Sequence, residues 1–349
     1  MTVELKQVNG VAQNHLPPLI FDDRALKDIV RELIIDRETL IVADPFNYTH
    51  IPQDGQLILV TNNKYEQIIA VREQYRFSNV IGIGGCVCLD VARMLALGKR
   101  VILIPTILST SCISNDGAVI LFPEGSRYVK TEIPEKVIIP IDWMLKVTPQ
   151  SVIDRWSSSG VGDIISNIGA AIDVSFQRNR FHSLEKVQQL SLTAHDVVNW
   201  IESSFTTWNV ESLKIMAKYL YCSGLDVILT GNPDLSGGGE HDWYHALMRR
   251  RPQFLINGPT HGQIVSLGTV IEAYIFDQAL NNQFLFKRLA NICDKVGLPR
   301  TFGELNELGL TQNLMQSALR TVVKIKPNSV LGMYFSNQKN LAILNDIFA

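Results

Sequence analysis

The chain has 349 residues, of which 46% are apolar and 19% charged, enough for about two folded domains and too apolar for disorder. Lys plus Arg (32) against Asp plus Glu (34) leaves a net charge of −2, so there is no basic excess to neutralise a nucleic-acid backbone. No apolar run reaches the roughly 18 residues of a membrane span. The N-terminus MTVELKQVNGVAQNH also lacks the pattern of a secretory signal, so a cytoplasmic protein acting on a small molecule is expected.

In chain order, residues 24–35 carry the spacing of an amphipathic helix. Short apolar runs follow at Thr39–Ala43, Gln56–Thr61, Asn79–Ile83 and Arg100–Ile104, with a helical pattern over Asp90–Leu97. Such runs, separated by helices, are the signature of a parallel sheet buried on both faces. From about Pro149 helical patterns take over, at 163–176, 184–203, 210–229, 241–250, 264–276 and 283–296. The expected architecture is an α/β dinucleotide-binding domain over 1–148 and an all-α domain over 149–349. Cys86, Cys88, Cys112, Cys222 and Cys293 are too few and too scattered for a disulfide framework and read as reduced thiols.

Five segments carry candidate chemistry. Gly82-Ile83-Gly84-Gly85-Cys86 sits where a strand gives way to a helix, the place where backbone approaches a pyrophosphate. A tight turn without a ligand explains it too. Pro105-Thr106-Ile107-Leu108-Ser109-Thr110-Ser111 places hydroxyls at the carboxyl end of the next strand. Gly160-Val161-Gly162-Asp163 is read as opening a helix, with Asp163 either an N-cap or a ligand. Gly237-Gly238-Gly239-Glu240-His241 precedes His245, which shares a helix face with His241, and the glycines suggest ligand access. Thr260-His261-Gly262-Gln263 again precedes an apolar helix. One Asp and two His at helix starts form a mixed donor set suited to zinc, nickel or ferrous iron.

In this order the segments resemble the metal-dependent polyol dehydrogenases, which include glycerol dehydrogenase, glycerol-1-phosphate dehydrogenase and the iron-containing alcohol dehydrogenases, with 3-dehydroquinate synthase as a relative. Gly160 to Asn167, Gly237 to His245 and His261 to Thr269 are most similar to the glycerol-1-phosphate dehydrogenase branch. The resemblance implies a dehydroquinate synthase-like fold, a bound NAD(H) or NADP(H), one divalent metal (Zn, Ni or Fe) and a homo-oligomer. It implies Asp163, His241 and His261 as metal ligands. His245 is implied beside the metal, orienting substrate or relaying protons. It assigns Gly84, Gly85, Asp90, Thr106, Ser109, Asn115 and Gly117 to the cofactor, and Asp44 to an adenosine ribose. Asp163, His245 and Ser111 are implied at the substrate.

The chain departs from the family pattern in several places. Cys86 replaces the third turn glycine, Arg93 a lysine, Gln263 a common glutamate, and Ser111 a substrate-contacting aspartate. Gly117 is followed by Ala118 and Val119, without the lysine of the dehydroquinate synthases. The implied function is reduction of a small ketone such as dihydroxyacetone phosphate. The alternatives are a sugar-phosphate cyclase, which the missing lysine disfavours, and a catalytically altered descendant, suggested by Cys86 and Ser111. Arg155, Arg249 and Arg250 are the cations near the motifs, with solvated surface roles expected for each.

Overall fold

A computed structural model describes residues 16–53, 55–176, 183–230, 233–250 and 258–337, with 339, 340, 342 and 348. Contacts divide the chain into two compact units, Met1–Pro149 with Leu213–Asn232, and Gln150–Ser212 with Pro233–Ala349.

The first unit contains β1 (Leu19–Phe21), α1 (Leu26–Leu33), β2 (Thr39–Ala43), β3 (Gln56–Leu59), α2 (Tyr65–Gln74), β4 (Asn79–Gly84), α3 (Cys86–Leu95), β5 (Arg100–Pro105), β6 (Gly117–Phe122), β7 (Gly125–Lys130), β8 (Lys136–Ile139) and α4 (Ile141–Val147). Six strands form one parallel sheet in the order β1-β8-β5-β4-β2-β3, and β6 and β7 pair as an antiparallel hairpin. Every residue of β2 is buried, as its unbroken apolar run requires in a sheet covered on both faces. The pattern in α1 is amphipathic, with Leu26, Ile29, Val30 and Leu33 inward. The expected strands all form. Short β1 and β8, the β6–β7 hairpin and α2 had no clear signal in the sequence: three- and four-residue strands leave little periodicity to read, and only Ile68 of α2 is buried.

The second unit is helical: α5 (Gln150–Ser175), α6 (Leu184–Leu190), α7 (Leu192–Ser204), then α9 (Gly239–Arg250), α10 (His261–Ala279), α11 (Phe284–Val296), α12 (Phe302–Glu307), α13 (Gln312–Ile325) and α14 (Val330–Ser336). Between α7 and α9 runs α8 (Val210–Thr230), which from Leu213 onward groups with the first unit although sequence order sets it among the later helices. There Ser114 Oγ donates to Tyr221 O at 2.7 Å and the Tyr221 hydroxyl donates to Pro17 O at 2.5 Å. α5 is the main correction to the expected elements. It begins at Gln150, not at Asp163, and is buried almost all round from Ser157 to Ile172, as a central helix must be. The segment 184–203 is two helices that meet at Ser191.

Candidate metal centre and nucleotide turn

The metal candidates lie in the helical unit, on three helices. Asp163 is a mid-helix residue of α5, so the N-cap reading falls. His241 is the third residue of α9, and His261 the first of α10. α10 starts where it does because Thr260 and Gln263 form a capping box: Thr260 Oγ1 accepts Gln263 N–H at 3.3 Å, and Gln263 Oε1 accepts Thr260 N–H at 2.8 Å. Gln263 needs only an accepting oxygen for this, which explains why an amide serves where a glutamate is frequent.

Two glycines bring Asp163 and His261 together. α5 and α10 touch where Gly162 meets Gly262: a Cβ on Gly162 would lie 2.2 Å from Gly262 O, and one on Gly262 would lie 1.8 Å from Ser159 O. The ligand candidates are the next residue after Gly162 and the residue before Gly262. His261 Nε2 lies 3.0 Å from Asp163 Oδ1 and 3.2 Å from His241 Nε2. One donor atom from each of the three lies within 4.8 Å of the others.

These residues fit a divalent ion. A tetrahedral ion with bonds of about 2.0–2.1 Å has ligand edges of about 3.3 Å, close to both short separations. His241 Nδ1 faces Glu240 Oε1 at 2.7 Å, which sets the tautomer with its Nε2 lone pair toward the other two donors. Burial opposes the charged form of His241, but the Glu240 hydrogen bond and the charges of Glu240, Asp163 and Asp242 together outweigh it, and the net shift is upward. Asp163 is buried, while the His261 side chain is 27% exposed, so the donor set is open on one side, as a catalytic site requires. Tyr244 packs edge-on against His261 at 4.4 Å and against His245 at 5.4 Å. Burial first, then the charges of His241 and His261, push His245 down to about 3.

The nucleotide candidates lie in the sheet unit. β4 ends at Gly84, whose φ of +149° only glycine adopts readily, and Gly85 is the N-cap of α3 with open space where a Cβ would be. Gly85 supplies no side-chain cap, so the first N–H groups of α3 are presented as an anion site would need. Asp44 brackets this turn. Its carboxylate accepts from the backbone of Phe46, Asn47 and Gly85 and from the Asn47 amide. Thr106 is buried and its Oγ1 accepts from Asn47 Nδ2 at 3.1 Å; Ser109 is buried as well. Asp90 is 1% exposed and lies next to Arg93, itself fully buried, so it belongs to the packing of α3 and offers no face to a cofactor. Arg93 Nη1 donates to Asn115 Oδ1 and to Gly117 O, so both residues are held from within the unit. Ser111 opens a single 3-10 turn over Ser111–Ile113.

No family model matches the chain. Over 261 residues it is 30% identical to a protein of Methanococcus aeolicus named glycerol-1-phosphate dehydrogenase (NAD(P)+), and the match spans 72% of each chain. The chain belongs to the glycerol-1-phosphate dehydrogenase family. Its fold is that of the wider polyol dehydrogenases: glycerol dehydrogenase from Schizosaccharomyces pombe superposes with a TM-score of 0.64 at 17% identity, covering 95% of this chain and 89% of that one. An iron-containing alcohol dehydrogenase from Thermotoga maritima superposes with a TM-score of 0.59 at 14% identity, covering 94% of this chain and 98% of that one.

Glu240, assigned no role from the sequence, holds the Nδ1 side of His241. Its signal was a carboxylate directly before a ligand histidine. Gly237, Gly238 and Gly239, read as access for a ligand, are packed: a Cβ on Gly237 would meet the His241 ring at 2.9 Å, and one on Gly238 would meet Asp173 Oδ2 and Glu240 Oε2, each at 2.8 Å. Of the cations near the motifs, Arg155 bonds Gly258 O and Arg250 bonds Ser317 and Thr321, while Arg249 is exposed.

Proposed function

We propose that this chain is a metal-dependent, NAD(P)-linked dehydrogenase that interconverts a small polyol phosphate and its ketone, with dihydroxyacetone phosphate as the ketone. The observation that carries the reading is the convergence of Asp163 Oδ1, His241 Nε2 and His261 Nε2 on one point. The relatives' names supply the reaction class. Bound by these three residues, a divalent ion supplies Lewis acidity toward a substrate carbonyl or hydroxyl.

The rest is the work of the chain's own side chains. His245, held neutral by burial, is a hydrogen-bonding imidazole that passes a proton between substrate hydroxyl and water and does not store it. The Tyr244 ring shields His261 on one side and limits the directions from which water reaches it. Glu240 keeps His241 in its ligating tautomer. The cofactor's pyrophosphate is assigned to Gly84, Gly85 and the first N–H groups of α3. Thr106 supports that turn through Asn47 and Asp44, Asn115 and Gly117 hold Arg93 of α3, and Ser109 is buried after the next strand. None of the five cysteines is in a disulfide, which fits a reducing cytoplasm. A homo-oligomer is the expected assembly.

The test is NADH absorbance on protein loaded separately with zinc, nickel and ferrous iron, with dihydroxyacetone phosphate and dihydroxyacetone offered in parallel. Metal-dependent NADH consumption with the phosphate supports the reading. Consumption with the unphosphorylated ketone alone moves the substrate class to glycerol, as the serine at position 111 would allow. No consumption with either, on protein shown to hold metal and nucleotide, rejects both.

A further inference from the structure

Behind His241, on the side away from Asp163 and His261, three carboxylates from three helices meet: Asp173 of α5, Glu240 of α9 and Glu272 of α10. One oxygen of each lies within 4.8 Å of the others. Their hydrogen-bond partners are unequal. Asp173 Oδ2 accepts Gly239 N–H at 2.7 Å, and Asp173 Oδ1 accepts Val330 N–H at 2.6 Å. Glu240 Oε1 accepts Gly238 N–H at 2.8 Å and faces His241 Nδ1 at 2.7 Å. The remaining three oxygens, Glu240 Oε2 and both of Glu272, are buried without a partner, and both residues have 0% exposure.

The chain makes room for this group deliberately. A Cβ on Gly169 would lie 2.2 Å from Glu272 Oε2 and 3.2 Å from Glu240 Oε2, and one on Gly239 would lie 2.8 Å from Glu272 Oε1. Nearby hydroxyls are committed elsewhere: Thr269 Oγ1 donates to Val265 O and Ser329 Oγ to Lys326 O. Two carboxylates this close cannot both be ionised in a site without water or a cation. A proton between them satisfies two of the three stranded oxygens at once. Glu240 Oε1 already has Gly238 N–H and His241 Nδ1 beside it, donors that favour an ionised carboxylate, whereas neither oxygen of Glu272 has a partner, so the proton belongs on Glu272.

The geometry points to Glu272 as a positioning residue for the metal centre: its carboxylic acid donates to Glu240 Oε2, which holds Glu240 Oε1 on His241 Nδ1–H and thereby aims His241 Nε2 at the metal. The chain of groups is Glu272 to Glu240 to His241 to the ion. Glu272 touches neither ion nor substrate and acts only through Glu240. This rests on the metal-dependent reading of Asp163, His241 and His261. Outer partners of this kind set metal affinity by about 10–100-fold.

The experiment measures the dissociation constant of Zn²⁺ by competition with a chromophoric chelator, on metal-stripped full-length wild type, Glu272→Gln and Glu272→Leu. Melting temperatures are recorded for each, together with metal equivalents bound per chain. Glutamine keeps a donor for Glu240 Oε2 and leucine does not. The expected result is one equivalent per chain throughout, affinity within about threefold of wild type for Glu272→Gln, and affinity weaker by about 10–100-fold for Glu272→Leu. Wild-type affinity in Glu272→Leu overturns the positioning role. So does equal weakening in both variants together with a second equivalent in wild type, because the cluster would then be a cation site that needs the charge. If Glu272→Leu does not fold, infrared spectra at pH 8.5, above the range in which Asp90 titrates, decide: a protonated-carboxyl band present in wild type and lost in Glu272→Gln is expected, and a band of equal intensity in both, or none in wild type, overturns the proposal. Failure of wild type to bind Zn²⁺ would instead overturn the metal-dependent reading itself.

Discussion

Gly262→Ala tests whether the contact between α5 and α10 sets the metal geometry. The added Cβ would lie 1.8 Å from Ser159 O and 2.5 Å from Ser159 C, both backbone atoms that no side-chain rotation can move away. An ordinary carbon–oxygen contact needs about 3.2 Å, so the helices must part by more than about 1 Å, and overpacking of this kind costs about 1–3 kcal/mol. Ligand distances in metal sites are held to about 0.2 Å. The Asp163–His261 separation of 3.0 Å spans this same contact, so the opening exceeds the tolerance several-fold. Rotation of the His261 ring recovers part of it. Expected outcomes are a lower melting temperature and at least tenfold weaker Zn²⁺ binding, about 1.4 kcal/mol. Calorimetric melting and chelator competition on the purified variant measure the two. A variant that melts and binds as wild type does would refute the claim that this glycine contact positions the ligands.

Removal of one ligand by His261→Ala should abolish stoichiometric metal after dialysis, read by elemental analysis; unchanged metal content would dismiss the three-residue centre. Gly84→Ala should weaken NADH binding, measured by fluorescence titration, because a φ of +149° strains any side chain and the Cβ would lie 2.5 Å from Asp44 Oδ2; unaltered affinity would remove this turn from the cofactor site. Asp90 carries a pH effect. Burial raises its carboxyl from 3.8 to about 7, with Arg93 opposing, so the folded state holds a proton that the unfolded state releases near pH 4. Its contribution to stability is complete below about pH 4 and is lost as pH rises through about 7. Between pH 5.5 and 8 this amounts to about 2 kcal/mol, and Asp90→Asn should flatten the pH dependence of the melting temperature by that much. An unchanged slope would mean that Asp90 is ionised in the fold.

What the sequence made legible follows from how much periodicity each element leaves. β2, β4 and β5 are buried runs of five or six residues and could be read directly. β1 and β8 are too short, and the β6–β7 hairpin is partly exposed, so neither shows a clean alternation. The start of α5 was hidden because Ser157-Ser158-Ser159, directly before the glycine motif, are polar by type yet buried by packing. The same cause misplaced Asp163 at a helix end. The three candidate ligands were legible only through a resemblance, and the fold puts one donor atom of each within 4.8 Å of the others. Glu272 was not legible at all: it lies eleven residues after His261 in an apolar helix, and only the fold shows it facing Glu240.

The glycines of the three motifs explain why the metal centre and the substrate are legible to such different degrees. Gly162 and Gly262 let two helices touch beside Asp163 and His261; Gly237 admits the His241 ring; Gly239 makes room for Glu272. Each does its work through backbone or buried contacts inside the helical unit, so the motifs are a packing solution around the three candidate ligands. A chain that keeps the ligands must keep those glycines, whatever the substrate. Ser111 begins a short turn in the loop after β5, in the first unit. Motif agreement therefore argues for the packing of the donor cluster, and says nothing of the substrate.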